Sequence, residues 1–98
     1  MTLHAQALVV TDNPSIYAAH VAERMGLEFE TEWSAECGFV KLPDGFCDMH
    51  AWPEGLRLDA FAENPESLAR VENLVKQQLE RTENGRPIVV DWVRRPSA

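Results

Sequence analysis

Residues 38–62 read GFVKLPDGFCDMHAWPEGLRLDAFA, and this stretch decides the fold. Three short apolar-rich runs, Gly38 to Leu42, Phe46 to Trp52 and Leu56 to Ala62, are separated by Pro43-Asp44-Gly45 and Pro53-Glu54-Gly55. Proline presets the backbone of the second turn residue and glycine accepts positive φ, so both tripeptides read as tight hairpin loops. Just upstream, Leu27, Phe29, Thr31 and Trp33 alternate with Glu28, Glu30, Glu32 and Ser34, a period of two that gives one apolar and one acidic face. Leu27 to Ala35 is therefore a strand, and four antiparallel strands in a meander follow.

Two helices flank the meander. Asn13-Pro14 offers an N-cap followed by proline at the first helical position, where its missing N–H costs nothing. Tyr17, Val21 and Met25 then recur every four residues, and Gly26 is placed to end the helix in a left-handed conformation. Asn64-Pro65-Glu66 opens a second helix in the same way, with an acidic residue in its first turn. Its apolar stripe is Leu68, Val71, Leu74, Val75 and Leu79, and it stops near Asn84-Gly85. Thr2 to Thr11 and Pro87 to Val93 supply a first and a last strand, and Arg94 to Ala98 reads as a flexible tail.

The predicted order is β-α-β-β-β-β-α-β over a single domain, residues 1–98. Each helix carries one apolar stripe and can bury only one side, so both pack on the same face of an antiparallel sheet: a two-layer α+β sandwich. The position of the first and last strands in the sheet is left open, since either edge of the meander can accept them.

At 98 residues there is room for one modest core. Nine Lys and Arg against sixteen Asp and Glu give a net charge of −7, which opposes nucleic acid and anionic lipid as partners. No apolar run is long enough to span a bilayer, and Met1 to Gln6 lacks the features of a secretory signal, so a soluble cytoplasmic domain is expected. Cys37 and Cys47 are too few for a disulfide framework and read as reduced thiols.

Val10-Thr11-Asp12-Asn13-Pro14 with Tyr17, then Pro65-Glu66-Ser67-Leu68-Ala69-Arg70-Val71-Glu72 with Leu79-Glu80-Arg81, then Val90-Asp91-Trp92, resemble the bacterial domain-of-unknown-function family 2218. The second-helix segment is the most specific part. The resemblance implies a small bacterial domain with no assigned activity, of a kind joined in some relatives to siderophore-interacting flavin reductases, and hence an iron-related accessory role. Relatives carry a His-x-x-His pair where this chain has Arg24 and Leu27, and a histidine where it has Gln78, so no histidine metal site carries over.

Cys47-x-x-His50, with Cys37 and His4, can be drawn as a metal site, but residues three apart on a strand point to opposite faces, and Cys47 alternates with Met49 and Ala51 as a core residue does. No metal or other cofactor is expected. The same alternation sends Asp48, His50 and Trp52 away from the helices, with Arg57, Asp59 and Phe61 as neighbours on the next strand. If Trp52 stands opposite Arg57, His50 stands opposite Asp59, a pair able to serve as base and orienter in a small enzyme, with Arg57 or Lys41 as an anion anchor. A solvent-facing pair of no catalytic consequence is the plain alternative. No nucleophile elbow or phosphate loop accompanies it.

The whole helix-free face is more informative. It collects Leu8, Val10, Phe39, Phe46, Trp52, Phe61, Val89 and Val93 among Lys41, Asp48, His50, Arg57 and Asp59. Apolar patches of this kind mark interfaces or ligand grooves. The expectation is a non-enzymatic binding module in which Phe39, Phe46, Trp52, Arg57 and Phe61 mediate a homodimer or capture a small apolar or aromatic ligand. The row Glu28, Glu30, Glu32 with Glu36 reads as charge that guards a sheet edge rather than as a cation site.

Overall fold

The computed structural model describes residues 2–11, 13–34, 36–82 and 90–95. The elements follow one another as β1 (Leu3–Val9), α1 (Pro14–Met25), β2 (Glu30–Ser34), β3 (Cys37–Leu42), β4 (Gly45–Trp52), β5 (Gly55–Ala62), α2 (Pro65–Thr82) and β6 (Val93–Arg95). They build one antiparallel six-stranded sheet in the order β2-β3-β4-β5-β1-β6, with both helices on one face. The expected α+β sandwich and its element order are present. The meander runs from the β2 edge to β5, and β1 then pairs with β5 while β6 closes the far edge beside it.

Alternation along the strands sorts the side chains. Ala5, Ala7 and Val9 of β1, Val40 of β3, Cys47 and Met49 of β4, and Leu56, Leu58, Ala60 and Ala62 of β5 are buried under the helices. Tyr17, Ala18, Val21, Ala22 and Met25 of α1 and Leu68, Val71, Val75 and Leu79 of α2 meet them, so both helical stripes read from sequence face the core. Each large aliphatic side chain buried in this way contributes about 1.5–3 kcal/mol. The alanines facing the helices from β1 and β5 leave room for α2, which packs on β5, β4 and β1, while α1 covers β2, β4 and β3. A buried hydrogen bond from the Tyr17 hydroxyl to the Leu79 carbonyl ties the two helices together.

The helix caps differ. Asn64 Oδ1 accepts the Ser67 N–H at 2.8 Å, a side-chain cap of the expected kind. Asn13 makes no such bond, and only Pro14 in the first turn marks the start of α1. Gly26 is right-handed, with φ −64 and ψ −15, not left-handed as expected. The helix unwinds instead through consecutive turns, in which Gly26 N–H still reaches the Ala22 carbonyl and Phe29 N–H the Met25 carbonyl. β2 accordingly begins only at Glu30, and Leu27, expected on its apolar face, lies in the turn and is 87% exposed.

Both hairpin loops are shorter by one residue than expected. Leu42 pairs with Gly45 and Trp52 with Gly55, so each loop holds two residues, Pro43-Asp44 and Pro53-Glu54, and each glycine belongs to its strand. Gly55 has φ +155, and a Cβ there would collide with the Val9 carbonyl oxygen, so only glycine lets β1 close against the start of β5.

At the C-terminal side, Val90 is buried and Trp92 donates its indole N–H to the Glu72 carbonyl at 3.1 Å, but neither is in a strand. β6 starts at Val93, and Arg94 and Arg95, expected in a tail, pair with Ala5 and His4. The remainder of the expected last strand, residues 87–89, and the tail residues 96–98 lie outside the described residues. No described helix is long and apolar enough to cross a membrane.

Candidate functional site

The face of the sheet opposite the helices carries the side chains singled out from the sequence. Strand register lays them out in rows. One row runs Glu30, Lys41, Phe46, Phe61, His4, Arg95; the next runs Glu32, Phe39, Asp48, Asp59, Gln6, Val93; the third runs Ser34, Cys37, His50, Arg57, Leu8. Phe39, Phe46, Trp52, Arg57 and Phe61 thus share one face, as the alternation requires, and Trp52 ends the β4 column beyond His50.

Three rings of the first row stack in series. Phe46 and Phe61 have centroids 4.8 Å apart and His4 lies on the far side of Phe61 at 4.6 Å, with interplanar angles of 20° and 4°. Such offset stacks are the favoured arrangement of neighbouring rings on a pleated surface. Phe46 remains 39% exposed and Trp52, stacked with His50 at 5.3 Å, 44%. Phe39 stands on the second row, directly opposite Asp48.

The two-residue loop after β4 resets the polar pairing. Because Trp52 pairs with Gly55, His50 stands opposite Arg57 and Asp59 opposite Asp48. The expected His50 and Asp59 pair is not formed. Asp59 belongs to β1's histidine instead: its Oδ1 receives His4 Nε2 at 2.7 Å and Gln6 Nε2 at 3.2 Å, and its Oδ2 receives Arg57 Nε at 3.2 Å. His4 and Asp59 are both largely covered, with side chains 27% and 16% exposed. His50 lies between Cys37 and Arg57 at the outer end of the face. Reading β1's parity places His4 and Gln6 on this face, but their part in the polar centre depends on β1 lying next to β5, which no local signal specifies.

Both basic side chains considered as anion anchors are committed to carboxylates. Arg57 is bound to Asp59, and Lys41 Nζ lies 3.1 Å from Glu30. Arg95 donates from Nε and Nη2 to Gln6 Oε1 at the β6 edge. Asp48 is different. Among the described residues no hydrogen bond or ion pair reaches its carboxylate. Partial desolvation, with the charge of Asp59 second, raises its pKa above the ordinary aspartate value, and His50 pulls only partly the other way.

The thiols are divided as well. Cys47 is in the core, where burial first and the charges of Asp48 and Asp59 next push its pKa far up, while Cys37 is exposed on the open face. Cys47 and His50 point to opposite faces, as the spacing argument requires. Among the described residues no group of three or more His, Cys, Asp and Glu side chains is placed to hold a metal ion.

A family model described as an uncharacterized protein conserved in bacteria, DUF2218, matches residues 6–93. The chain belongs to the DUF2218 family. No curated protein matches it. Its fold is similar to the NMR structure of PA4090 from Pseudomonas aeruginosa, with a TM-score of 0.75 and 25% sequence identity over 93% of this chain and 95% of that one. In this DUF2218 domain the matched region takes in β2 to β5 and both helices, and so nearly the whole of the open face.

Proposed function

We propose that the domain is a non-enzymatic binding module that captures a small ligand, apolar or aromatic in its body, on the open face of the sheet. The stacked row Phe46, Phe61, His4 carries this reading. It forms a ladder of rings stacked face to face across three strands, beside the central row of a face that also exposes Trp52, Leu8 and Val93. A ring laid against this ladder buries apolar area and gains edge-to-face contacts. Next to it, a shallow cleft of about 560 Å³ runs between Phe46, Phe61, Lys41 and the start of α2, giving the ligand an edge to lean on.

Self-association through the same face is the competing occupant. A twofold pairing of two such faces sets the central Asp48 and Asp59 of one copy against those of the other, four carboxylates in a closing interface, and the net charge of −7 adds long-range repulsion. Capture of a small ligand incurs neither cost. Native mass spectrometry of gently purified protein tests the reading. The expected result is a single chain carrying a noncovalent adduct, lost on denaturation and lost in Phe61→Ser; a bare dimer overturns the reading in favour of a twin on the face.

A further inference from the structure

We infer that the ligand taken by this face is an organic cation, a protonated amine on an aromatic or apolar body, with Asp48 as its counter-charge. The inference rests on the capture reading above and supplies the chemistry of its ligand.

The charge layout carries the argument. Across the face, each described lysine and arginine except Arg95 is neutralised by a carboxylate of the same face, Lys41 by Glu30 and Arg57 by Asp59, while His50 stands opposite Arg57. Arg95 lies at the β6 edge, held by a neutral amide. An anionic ligand at the centre of the face would have to break one of these pairs. The carboxylates outnumber the partners they have, and the one left over at the centre is Asp48. It is an unfavourable place for an unpaired charge, because Asp59 stands directly opposite and like charges at such a position destabilise a sheet. Nothing in the packing of the core calls for an acid there, since Asp48 points away from the helices.

Its immediate neighbours fit a cation that is also apolar. Phe39 flanks Asp48 across β3, Phe46 lies two residues before it on β4, and Phe61 lies diagonal to it on β5. A carboxylate set among aromatic side chains suits an ammonium group on an apolar body, the acid giving the charge and the rings the apolar contact. An ammonium over Asp48 also cancels the repulsion from Asp59. Its aromatic body reaches the Phe46, Phe61, His4 row two residues, or about 7 Å, along the strands.

Three probes that share one ring and differ in charge test this: 2-phenylethylamine, 2-phenylethanol and 3-phenylpropionate, titrated into the nitrogen-15-labelled full chain and followed by amide chemical shifts at neutral pH. The amine is expected to shift the amides of Phe39, Phe46 and Asp48 saturably, and to bind about three- to tenfold more tightly than the alcohol, as one partly exposed charge contact allows. Asp48→Asn should remove that preference, while Glu32→Gln, a charge change one row position beyond Phe39, should leave it. Equal shifts from the alcohol or the acid overturn the cation assignment and leave capture on the face standing. Shifts by none of the three on this face overturn both. Loss of the amine preference in Glu32→Gln as large as in Asp48→Asn overturns Asp48 as the counter-charge.

Discussion

Asp59 hydrogen-bonds to His4, 55 residues away in sequence and 2.7 Å away in space, while the histidine nearest to it in the local pattern, His50, faces Arg57. The β1 to β5 pairing makes that contact, and the β4 to β5 register leaves Asp48 facing Asp59 without a hydrogen-bond partner of its own among the described residues.

This arrangement makes Asp48 a stability liability. Its pKa is raised in the folded chain, so between the ordinary aspartate value and the raised one the folded state holds more protons than the unfolded state. Stability contributed at that site therefore falls as pH rises through this window, and above it the full cost of the ionised group is present. Asp48→Asn should raise stability at pH 7 by a few tenths of a kcal/mol, the scale of a solvent-screened cross-strand pair. The gain should vanish once the solution is acid enough to protonate Asp48 in both states. Urea denaturation of the two proteins at neutral and acid pH checks both statements.

The link between the helices should be measurable through Tyr17. Its hydroxyl donates to the Leu79 carbonyl in a buried position, and Tyr17→Phe removes the donor while keeping the ring. A loss of about 1 kcal/mol is expected, the usual net value of such a bond, with the sheet face unchanged. Chemical denaturation gives the loss, and amide shifts of β3 and β4 check that the face is intact.

Gly55 should tolerate no side chain. The backbone angle there alone costs on the order of 1–3 kcal/mol for another residue, and the approach of the Val9 carbonyl leaves no space for the added carbon. Gly55→Ala should lower the melting temperature by roughly 5–15 °C for a chain of this size, as read by circular dichroism. An unchanged melting temperature would mean that the two-residue loop and its register are not as described.

The two cysteines should react at very different rates. Cys37 is exposed, whereas Cys47 is buried with its thiol pKa pushed up, which keeps it in the unreactive protonated form. Alkylation under native conditions followed by mass measurement should add one label per chain, on Cys37, and a second only in denaturant. Rapid double labelling would contradict the core position of Cys47.

The sheet and its two faces were legible because period-two alternation and single helical stripes are local properties. Leu56, Leu58 and Ala60 had to face one way and Arg57, Asp59 and Phe61 the other, whatever the strand order. The hairpin loops were legible in kind but not in length. Pro-x-Gly serves a two- or a three-residue loop equally well, and the choice rests on how closely Gly55 can approach Val9, a residue of another strand.

Composition, alternation and capping residues by themselves determined the α+β class, the element order, the core residues and the aromatic character of the open face, since each of these is written in neighbours a few positions apart. The tertiary structure alone decided that β1 lies between β5 and β6, that His4 and Gln6 belong to the polar centre, and that Asp48 is left facing Asp59. The first two depend on strands far apart in the chain sharing hydrogen bonds and the last on the register of the β4 to β5 hairpin, and these are fixed by the burial of Ala5, Ala7, Ala60 and Ala62 beneath the helices and by the closure at Gly55, energies that exist only once the chain has come together.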